Sequence, residues 1–454
     1  MQTETRPAPI NLTAFINEAP FSRYQKFIIG TCFLLMALDT IDLALISFAA
    51  PAIASAWSIP IARFGTIFGI GLAGSLFGSL LFGSAADVLG RRLPIIIGAA
   101  VFGLFTLLLP TVHSLEGLLI MRFLCGLGIG GVLPNCIALS SEFAPPRLRP
   151  TVVSITSCGL PLGSALAGMI ALLMLPAYGW KSMFYLGGVM PLVLLPILVW
   201  FLPESIRFLA VKKNRSSKLA EILNKIAPMK KVADTHSFIL GEQRVAGSPA
   251  KALFTDGRLP TTLLLWLMFI IGYLITFLLL NWLPALLQQS GIPLTRAILV
   301  ASIFSLGGPI GGMVFAWFSK RSDSRRVMVI GFVAAAGSII ILGMSQGHAA
   351  MVVISIFLSG FFVTGTQITM YVTAAAAYRT TMRSTGIGWA AGIGRIGSII
   401  GPVVAGVLLG TGTTVSQLIY ITAAPALIGS AAAFLLAREQ EEGIEVVAGR
   451  MENR

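Results

Sequence analysis

Charged side chains are scarce in this sequence: they make up 11% of its 454 residues, whereas hydrophobic residues make up 56%. A soluble domain carries about 25% charged residues, which cover its surface with polar groups. The shortage excludes a soluble enzyme and a disordered protein, and it predicts an integral membrane protein. Histidine is scarcer still, at positions 113, 236 and 348, and no metal-ligand cluster or nucleophile–base pair accompanies these residues. We therefore expect neither an enzyme nor a bound metal or cofactor.

Cysteine is also rare, with four residues in the chain (Cys32, Cys125, Cys136 and Cys158). All four lie within apolar stretches, which predicts free, buried thiols instead of a disulfide framework. Acidic residues are few as well: 18 Asp and Glu against 32 Lys and Arg give a formal net charge of +14. In a membrane protein this surplus does not indicate nucleic-acid binding, because basic residues in the loops set the orientation of the chain.

Long apolar runs are what the sequence has in place of charge. Twelve of them are predicted to be membrane-spanning helices, since a spanning helix needs about 20 apolar residues and satisfies its own backbone hydrogen bonds. The runs lie near 27–50, 64–83, 93–112, 116–139, 152–175, 182–201, 261–283, 297–318, 327–345, 349–371, 385–409 and 417–437. The predicted fold is an all-α membrane protein with two pseudo-symmetric six-helix bundles, at 27–201 and 261–437. The other segments are N-terminal (1–26), a central loop (202–260) and a tail (438–454).

The two predicted bundles resemble each other at an offset of 234 residues. This offset aligns Gly74 with Gly308, Arg91-Arg92 with Arg325-Arg326, and Arg149 with Arg383. Glycine matches alone can arise by chance, but arginine matches in two equivalent loops are harder to explain that way. Parallel repeats of six helices with a substrate site between them are a transporter architecture.

Basic residues are distributed unevenly between the two sides of the predicted membrane. If the N-terminus is cytoplasmic, the outer loops hold three of them (Arg63, Lys181 and Arg296), and the inner segments outside the central loop hold 16. Since Lys and Arg are retained on the cytoplasmic side, this asymmetry predicts that both termini are cytoplasmic. The central loop itself is interpreted as a solvated linker.

Two carboxylates, Asp39 and Asp42, lie inside the first predicted span. Three residues apart, they share one face of a helix, and charges inside a membrane are costly and usually functional. They are therefore candidates for proton coupling, together with Glu142 at the inner edge of the fourth span. The alternative is that one aspartate only anchors the helix to a neighbouring basic group.

Two arginines also lie within spans: Arg122 near one end of the fourth, and Arg395 midway along the eleventh. A guanidinium group among small neighbours suits recognition of a carboxylate, so both are candidate substrate-binding residues. Arg122 has an alternative role, because a side chain near the end of a span can extend to the interface. Further span residues that either line a substrate site or serve only as helix contacts are Asn135, Tyr273, Asn281, Gln367 and Trp389.

Three loops on the predicted inner side place acidic and basic residues at helix ends. The first contains Gly83, Asp87, Gly90, Arg91 and Arg92. Such a carboxylate can pair with a guanidinium group or a helix end in one conformation and release it in another. The other two loops contribute Arg149, and Glu204 with Arg207. We expect all of these residues to act in gating; the alternative for the first loop is a purely topological role.

These elements together resemble the aromatic acid:proton symporter family of the major facilitator superfamily. The resemblance covers nearly the whole chain. It rests on the paired aspartates, the 83–92 loop, and the segments Ile16–Gln25, Asn281–Pro284 and Gly394–Gly397. In the first span the family pattern is Asp-Gly-aromatic-Asp. This chain has Asp39-Thr40-Ile41-Asp42, which keeps both acids and loses the glycine and the aromatic residue.

The resemblance implies import of a benzoate-type carboxylate with protons across a bacterial inner membrane, by two bundles that rock about a central site. Asp39 and Asp42 would take part in proton coupling, and Arg122 and Arg395 in anion binding or in pairing with those acids. The expected partners are a small organic anion, protons and the lipid bilayer; the transporter would be a monomer driven by the proton gradient. Two alternatives remain open. One is a carrier of another organic acid or a xenobiotic exporter of the same superfamily, and the other is a membrane sensor or receptor with a transporter fold.

Overall fold

The computed structural model describes residues 10–211, 216–230, 232, 238–239, 253–255, 258–345, 348–378 and 382–452. Parts of the predicted central loop (212–215, 231, 233–237, 240–252 and 256–257), which include His236, lie outside this range, as do residues 1–9. The predictions for those residues stay predictions.

Helices account for almost all of the described structure. The first eight are α1 (Leu12–Glu18), α2 (Arg23–Trp57), α3 (Phe64–Leu89), α4 (Arg92–Leu108), α5 (Leu115–Phe143), α6 (Arg149–Ser157), α7 (Gly159–Tyr178) and α8 (Trp180–Phe201). The next eight are α9 (Ile206–Val211), α10 (Ser216–Ile226), α11 (Leu259–Gln289), α12 (Leu294–Arg321), α13 (Ser324–Met344), α14 (Ala349–Ala377), α15 (Arg383–Gly410) and α16 (Val415–Glu452). Short 3-10 turns lie at Ile61–Arg63, Leu109–Thr111 and Pro146–Leu148. Two two-residue strands, β1 (Ile10–Asn11) and β2 (Phe238–Ile239), pair in parallel.

Twelve helical segments in the described residues are long and apolar enough to cross a membrane. They begin with Arg23–Trp57 and end with Val415–Arg438, and each overlaps one of the predicted apolar runs. The prediction of an all-α membrane protein with twelve spans is therefore confirmed. α16 continues beyond its span to Glu452, so the predicted tail is largely helical.

The fifth predicted span is not one continuous helix. It is divided into α6 and α7 by a break at Cys158. Pro161 follows three residues later, and a proline lacks the N–H for a bond to the carbonyl four residues earlier and clashes with it. Cys158 is exposed, so the prediction that all four thiols are buried is wrong at this position. The other three cysteines are buried, and all four are free.

Beyond the break, α7 approaches α2 closely because of two glycines. A Cβ on Gly159 would lie 2.5 Å from the carbonyl oxygen of Phe33, and one on Gly163 would lie 2.2 Å from that of Ala37. Any side chain at either position would push the helices apart. This contact involves the turn of α2 just before Asp39.

The chain forms two compact units. The first comprises residues 1–43, 73–163 and 184–245, and the second comprises residues 44–72, 164–183 and 246–454. The helices α2, α3, α7 and α8 each contribute one part to either unit. The division into two six-helix bundles at 27–201 and 261–437, predicted from the sequence, stays a prediction.

Within the first unit, the N-terminal segment is attached to the central segment by several contacts. Ile10 pairs with Phe238 across the two short strands. The side chain of Asn11 caps α1 by accepting hydrogen bonds from the backbone N–H groups of Thr13 and Ala14. At the other end of α1, Lys230 Nζ donates to Glu18 Oε2 at 2.7 Å. The N-terminal segment is therefore held at both ends.

We expect the attachment of α1 to weaken in acid. The hydrogen bond and charge of Lys230 lower the pKa of Glu18 below its ordinary value of 4.5. A carboxylate with a lowered pKa in the folded state stabilises that state above its ordinary pKa, and the contribution is lost as the pH falls through the lowered value. Hydrogen exchange of residues 12–18, corrected for intrinsic rates, should therefore speed up between pH 6 and pH 3.5. Glu18→Gln should show fast exchange at both pH values; a pH-independent rate in the unaltered protein would contradict the prediction.

Candidate functional site

A buried ion pair lies in the first unit, between α2 and α5. Asp42 is fully buried and Arg122 is 2% exposed. Arg122 Nη1 donates to Asp42 Oδ2 at 3.1 Å. The alternative in which Arg122 extends to the interface is therefore wrong, because its guanidinium group points inward to this carboxylate.

Two further side chains complete the surroundings of Asp42. Thr106, on α4, donates its hydroxyl to Oδ1 at 2.5 Å, and Cys125 donates its thiol to Oδ2 at 3.0 Å. Arg122 and Cys125 lie three residues apart on α5, and so share one face of that helix. The carboxylate thus accepts from three donors in a water-poor site, an arrangement that stabilises a buried negative charge.

Asp39 lies one turn before Asp42 on α2 and is also fully buried. The buried thiol of Cys136, on α5, lies within electrostatic range of its carboxylate. The predicted pair of acids on one helix face is therefore present inside the first unit. Their role in proton coupling stays a prediction.

Glu142 is at the end of α5, where it is 8% exposed. It accepts a hydrogen bond from the hydroxyl of Ser205, which in turn accepts from the backbone N–H of Phe208 at 3.0 Å. The guanidinium groups of Arg91 and Arg207 lie within electrostatic range of its carboxylate. Glu142 therefore belongs to a network at the predicted inner helix ends, away from the contacts of Asp42.

The loop between α3 and α4 is organised by Glu204. Its Oε1 accepts from the backbone N–H groups of Arg91 at 2.6 Å, Arg92 at 3.1 Å and Ser205 at 2.8 Å. Gly90 has a φ of +93°, and a Cβ there would lie 2.3 Å from the Glu204 carboxyl carbon. A carboxylate at the N-terminus of a helix also balances the positive end of the helix dipole. Glu204 thus caps the N-terminus of α4 by accepting hydrogen bonds from its first backbone N–H groups.

The remaining predicted gating residues have more modest contacts. Asp87 is exposed and lies 3.7 Å from Arg91 Nη2, and exposed pairs of this kind contribute little. Gly83 has open space on its Cβ side within the described structure. Arg149 begins α6 and is half-buried.

Asn135 belongs to the same network as Arg91 and Glu142 at the predicted inner helix ends. It is fully buried. Its Oδ1 accepts from Arg91 Nη1 at 3.2 Å and its Nδ2 donates to the Gly131 carbonyl at 2.8 Å. Its amide is thus already bonded at both ends, although substrate binding by Asn135 stays a prediction.

The second unit contains a cluster of aromatic and polar side chains from α11 and α14. Tyr273 and Tyr371 share a hydrogen bond of 2.7 Å between their hydroxyl groups. Phe269 meets Tyr371 edge-on at 5.1 Å, and Phe277 stacks on Tyr273 at 6.0 Å. Gln367 lies one turn before Tyr371 on the same face of α14. Arg395, on α15, is half-buried and within electrostatic range of Tyr371.

Trp389 and Asn281 are also in the second unit but have different surroundings. Trp389 stacks on Trp266 with ring centroids 6.1 Å apart, and 48% of its surface is exposed. Asn281 accepts from Ser47 at 3.0 Å and donates to the Phe277 carbonyl at 2.7 Å. Next to it, Trp282 is fully buried and donates its indole N–H to the Pro402 carbonyl at 3.0 Å. Asn281 and Trp282 are thus packed against α2 and α15, whereas Tyr371 of the tyrosine pair is more exposed.

The sequence does not mark Thr106 or Ser205 as functional candidates, and it predicts only a buried thiol at Cys125. Nothing in the local sequence around Thr106 signals its partner, which is 64 residues earlier. For Cys125, a signal was present: it follows Arg122 by three residues, and so lies on the face of α5 that carries the predicted intramembrane arginine.

The chain is similar to known proteins over nearly its full length. The family model described as Major Facilitator Superfamily matches residues 32–322 and 265–452. The chain is 36% identical to a 4-hydroxybenzoate transporter, PcaK, of Acinetobacter baylyi, covering 95% of each protein. It is 33% identical to the gallate transporter of Pseudomonas putida over 94% of each, and 32% identical to the benzoate transport protein of Acinetobacter baylyi over 94% of this chain and 92% of that one.

Solved structures show the same fold at lower sequence identity. A bacterial homologue of the human lysosomal transporter Spinster, in an inward-facing and unoccupied conformation, matches with a TM-score of 0.73 and 16% identity over 92% of this chain and 97% of that one. A D-xylose-proton symporter matches with a TM-score of 0.71 and 15% identity over 90% of this chain and 97% of that one. At these identities the likeness concerns the fold alone.

Proposed function

Because this chain belongs to the Major Facilitator Superfamily, we propose that it is a secondary transporter that imports an aromatic carboxylate together with protons. The observation that carries the proposal is the buried pair of Asp42 and Arg122, with Asp39 one turn away. Ionisable groups inside membrane spans are costly, and in transporters they serve ion or substrate movement. The substrate class is supported by relatives that are named as transporters of 4-hydroxybenzoate, gallate and benzoate.

Charge balance explains how a proton and an anion can travel together. In the unprotonated state, Asp42 balances the charge of Arg122. A proton on Asp42 removes that balance, and the guanidinium group then favours a carboxylate in its vicinity. Proton and anion together add no net charge, which lowers the cost of moving the loaded site through a closed state. Arg395 is a separate candidate cation for a carboxylate, beside the aromatic cluster of the second unit.

The protein crosses the membrane many times, and we assign both termini to the cytoplasm of a bacterial cell. The support is the excess of basic residues in the predicted inner loops. In this orientation the loop between α3 and α4, which is bonded to Glu204, is cytoplasmic, and so is the N-terminal segment. We assign proton coupling to three carboxylates: Asp39, Asp42 and Glu142. We also propose that the carrier is a monomer.

Uptake into proteoliposomes tests the proposal directly. Labelled 4-hydroxybenzoate, protocatechuate, gallate and benzoate should accumulate when the proton gradient is directed inward, and a protonophore should abolish the accumulation. Protein-free liposomes control for passive entry of the protonated acids. Accumulation that is unaffected by the protonophore would exclude proton coupling, and gradient-driven loss of preloaded acid would indicate an exporter.

A further inference from the structure

The second unit contains a pair of tyrosines that the coupling mechanism above does not use. The hydroxyl groups of Tyr273 and Tyr371 are 2.7 Å apart. Each hydroxyl has one hydrogen to donate and two lone pairs, so the shared bond leaves one hydrogen and several lone pairs for another molecule. Tyr371 keeps 37% of its surface exposed, so a molecule can reach the pair.

The surroundings of the pair are rigid and aromatic. Phe269 contacts the edge of Tyr371, and Phe277 stacks on Tyr273. A Cβ on Gly394 would lie 2.7 Å from the Tyr273 ring, so this glycine allows α15 to rest directly against the ring and to fix it. Rings in edge-on and offset contacts of this kind form a wall on which a further aromatic ring can pack.

Gln367 adds a hydrogen-bond donor beside the tyrosines. Its Nε2 is buried and has no hydrogen-bond partner in the part of the chain that the structure describes. A Cβ on Gly272, the residue before Tyr273, would lie 3.6 Å from the Gln367 Cγ, so this side chain packs against α11 beside Tyr273 and lies one turn before Tyr371 on α14. An unbonded amide inside a membrane protein costs free energy, which an oxygen atom of a ligand would offset.

We infer that Tyr273, Tyr371 and Gln367 form a subsite for a ring hydroxyl group, and that the protein therefore selects ring-hydroxylated aromatic acids over benzoate. This inference rests on the proposed function. A phenol both donates and accepts hydrogen bonds, as the tyrosine hydroxyls do, whereas a carboxylate only accepts and is matched by the guanidinium group of Arg395. A site built to bond a hydroxyl group rejects the analogue without it, because its own polar groups are left unpaired.

Binding of matched acids to the purified full-length protein tests the subsite. The probes are 4-hydroxybenzoate, 3-hydroxybenzoate, benzoate and 4-fluorobenzoate, measured by calorimetry in detergent. We expect one of the hydroxylated acids to bind at least about tenfold more tightly than benzoate, with 4-fluorobenzoate close to benzoate. In the Tyr273→Phe/Tyr371→Phe double variant this ratio should fall to near one, because the hydroxyl groups that distinguish the two classes of acid are absent. Gln367→Leu should reduce the same ratio, and Tyr185→Phe, at an exposed tyrosine of the first unit, should leave it unchanged.

The outcomes separate this inference from the proposed function. Equal affinity of the unaltered protein for hydroxylated and unsubstituted acids would overturn the subsite while leaving aromatic acid transport in place. A preference that survives in a folded double variant would do the same. If the double variant does not fold, the ligand series on the unaltered protein and on Gln367→Leu still decides the question. If none of the acids binds, both the subsite and the proposed substrate class are wrong.

Discussion

Replacing Asp42 with asparagine is expected to abolish proton-driven accumulation of the substrate. Asparagine keeps the shape of the side chain but cannot carry the charge that balances Arg122. Removing one partner of a buried ion pair costs about 3–5 kcal/mol, because the other charge stays buried without compensation. The apparent Tm should therefore fall together with the transport. Accumulation in proteoliposomes under an inward proton gradient measures the first effect, and thermal unfolding in detergent measures the second.

A double variant separates the two effects of this substitution. Asp42→Asn/Arg122→Gln replaces the ion pair by two neutral amides, and replacing both partners of a buried pair is often neutral for stability. The Tm should thus recover, while accumulation stays absent. Glu116→Gln, at an exposed acid in the first turn of α5, is the matched control and should retain both. Gradient-driven accumulation by Asp42→Asn would show that this carboxylate does not couple transport to protons.

Replacing Gly90 with alanine is expected to cause the second largest loss, this time in stability. The φ of +93° is strained for any residue with a Cβ, and such strain costs about 1–3 kcal/mol. The added Cβ would also displace the Glu204 carboxylate, from which it would be only 2.3 Å away. The backbone N–H groups at the start of α4 would lose their acceptor, and the Tm should fall by several degrees.

Two further variants give this prediction its control and its mechanism. Gly30→Ala adds a methyl group inside α2, where nothing in the described structure lies within 4 Å of it, and should keep or raise the Tm. Glu204→Ala removes the side chain that the new methyl group would meet. The combined loss in Gly90→Ala/Glu204→Ala should therefore be smaller than the sum of the single losses, as expected for residues in contact. Additive losses, or an unchanged Tm for Gly90→Ala, would contradict the assigned contact.

The sequence predicted the fold well because membrane helices are defined by local composition. Twelve apolar runs give twelve spans, since each run satisfies its own backbone and its length matches the bilayer. The break at Cys158 was missed because glycine and proline are common inside membrane helices and do not by themselves end a span. Its position depends on how Pro161 removes one backbone bond within an otherwise apolar run.

The site was predicted less completely, because its contacts are far apart in the chain. The aspartates stood out as charges in an apolar span, but which of them meets Arg122 depends on the packing of α2 on α5, 80 residues apart. Glu204 was predicted to act through charged side chains. Instead it accepts from backbone N–H groups more than 110 residues away, which the turn at Gly90 presents to it. The local sequence identifies charged residues in spans and at helix ends, whereas tertiary packing determines which partner each of them contacts.

The contact between Ser47 and Asn281 joins α2 to α11 at positions that the predicted repeat makes equivalent. The two residues are 234 positions apart, which is the offset of the predicted internal repeat. The same offset superimposes Asp39 on Tyr273 and Asp42 on Thr276. In the predicted repeat, one helix face therefore carries the candidate proton-coupling acids on α2, and its counterpart on α11 carries hydroxyl groups, one of which belongs to the inferred ring-hydroxyl subsite.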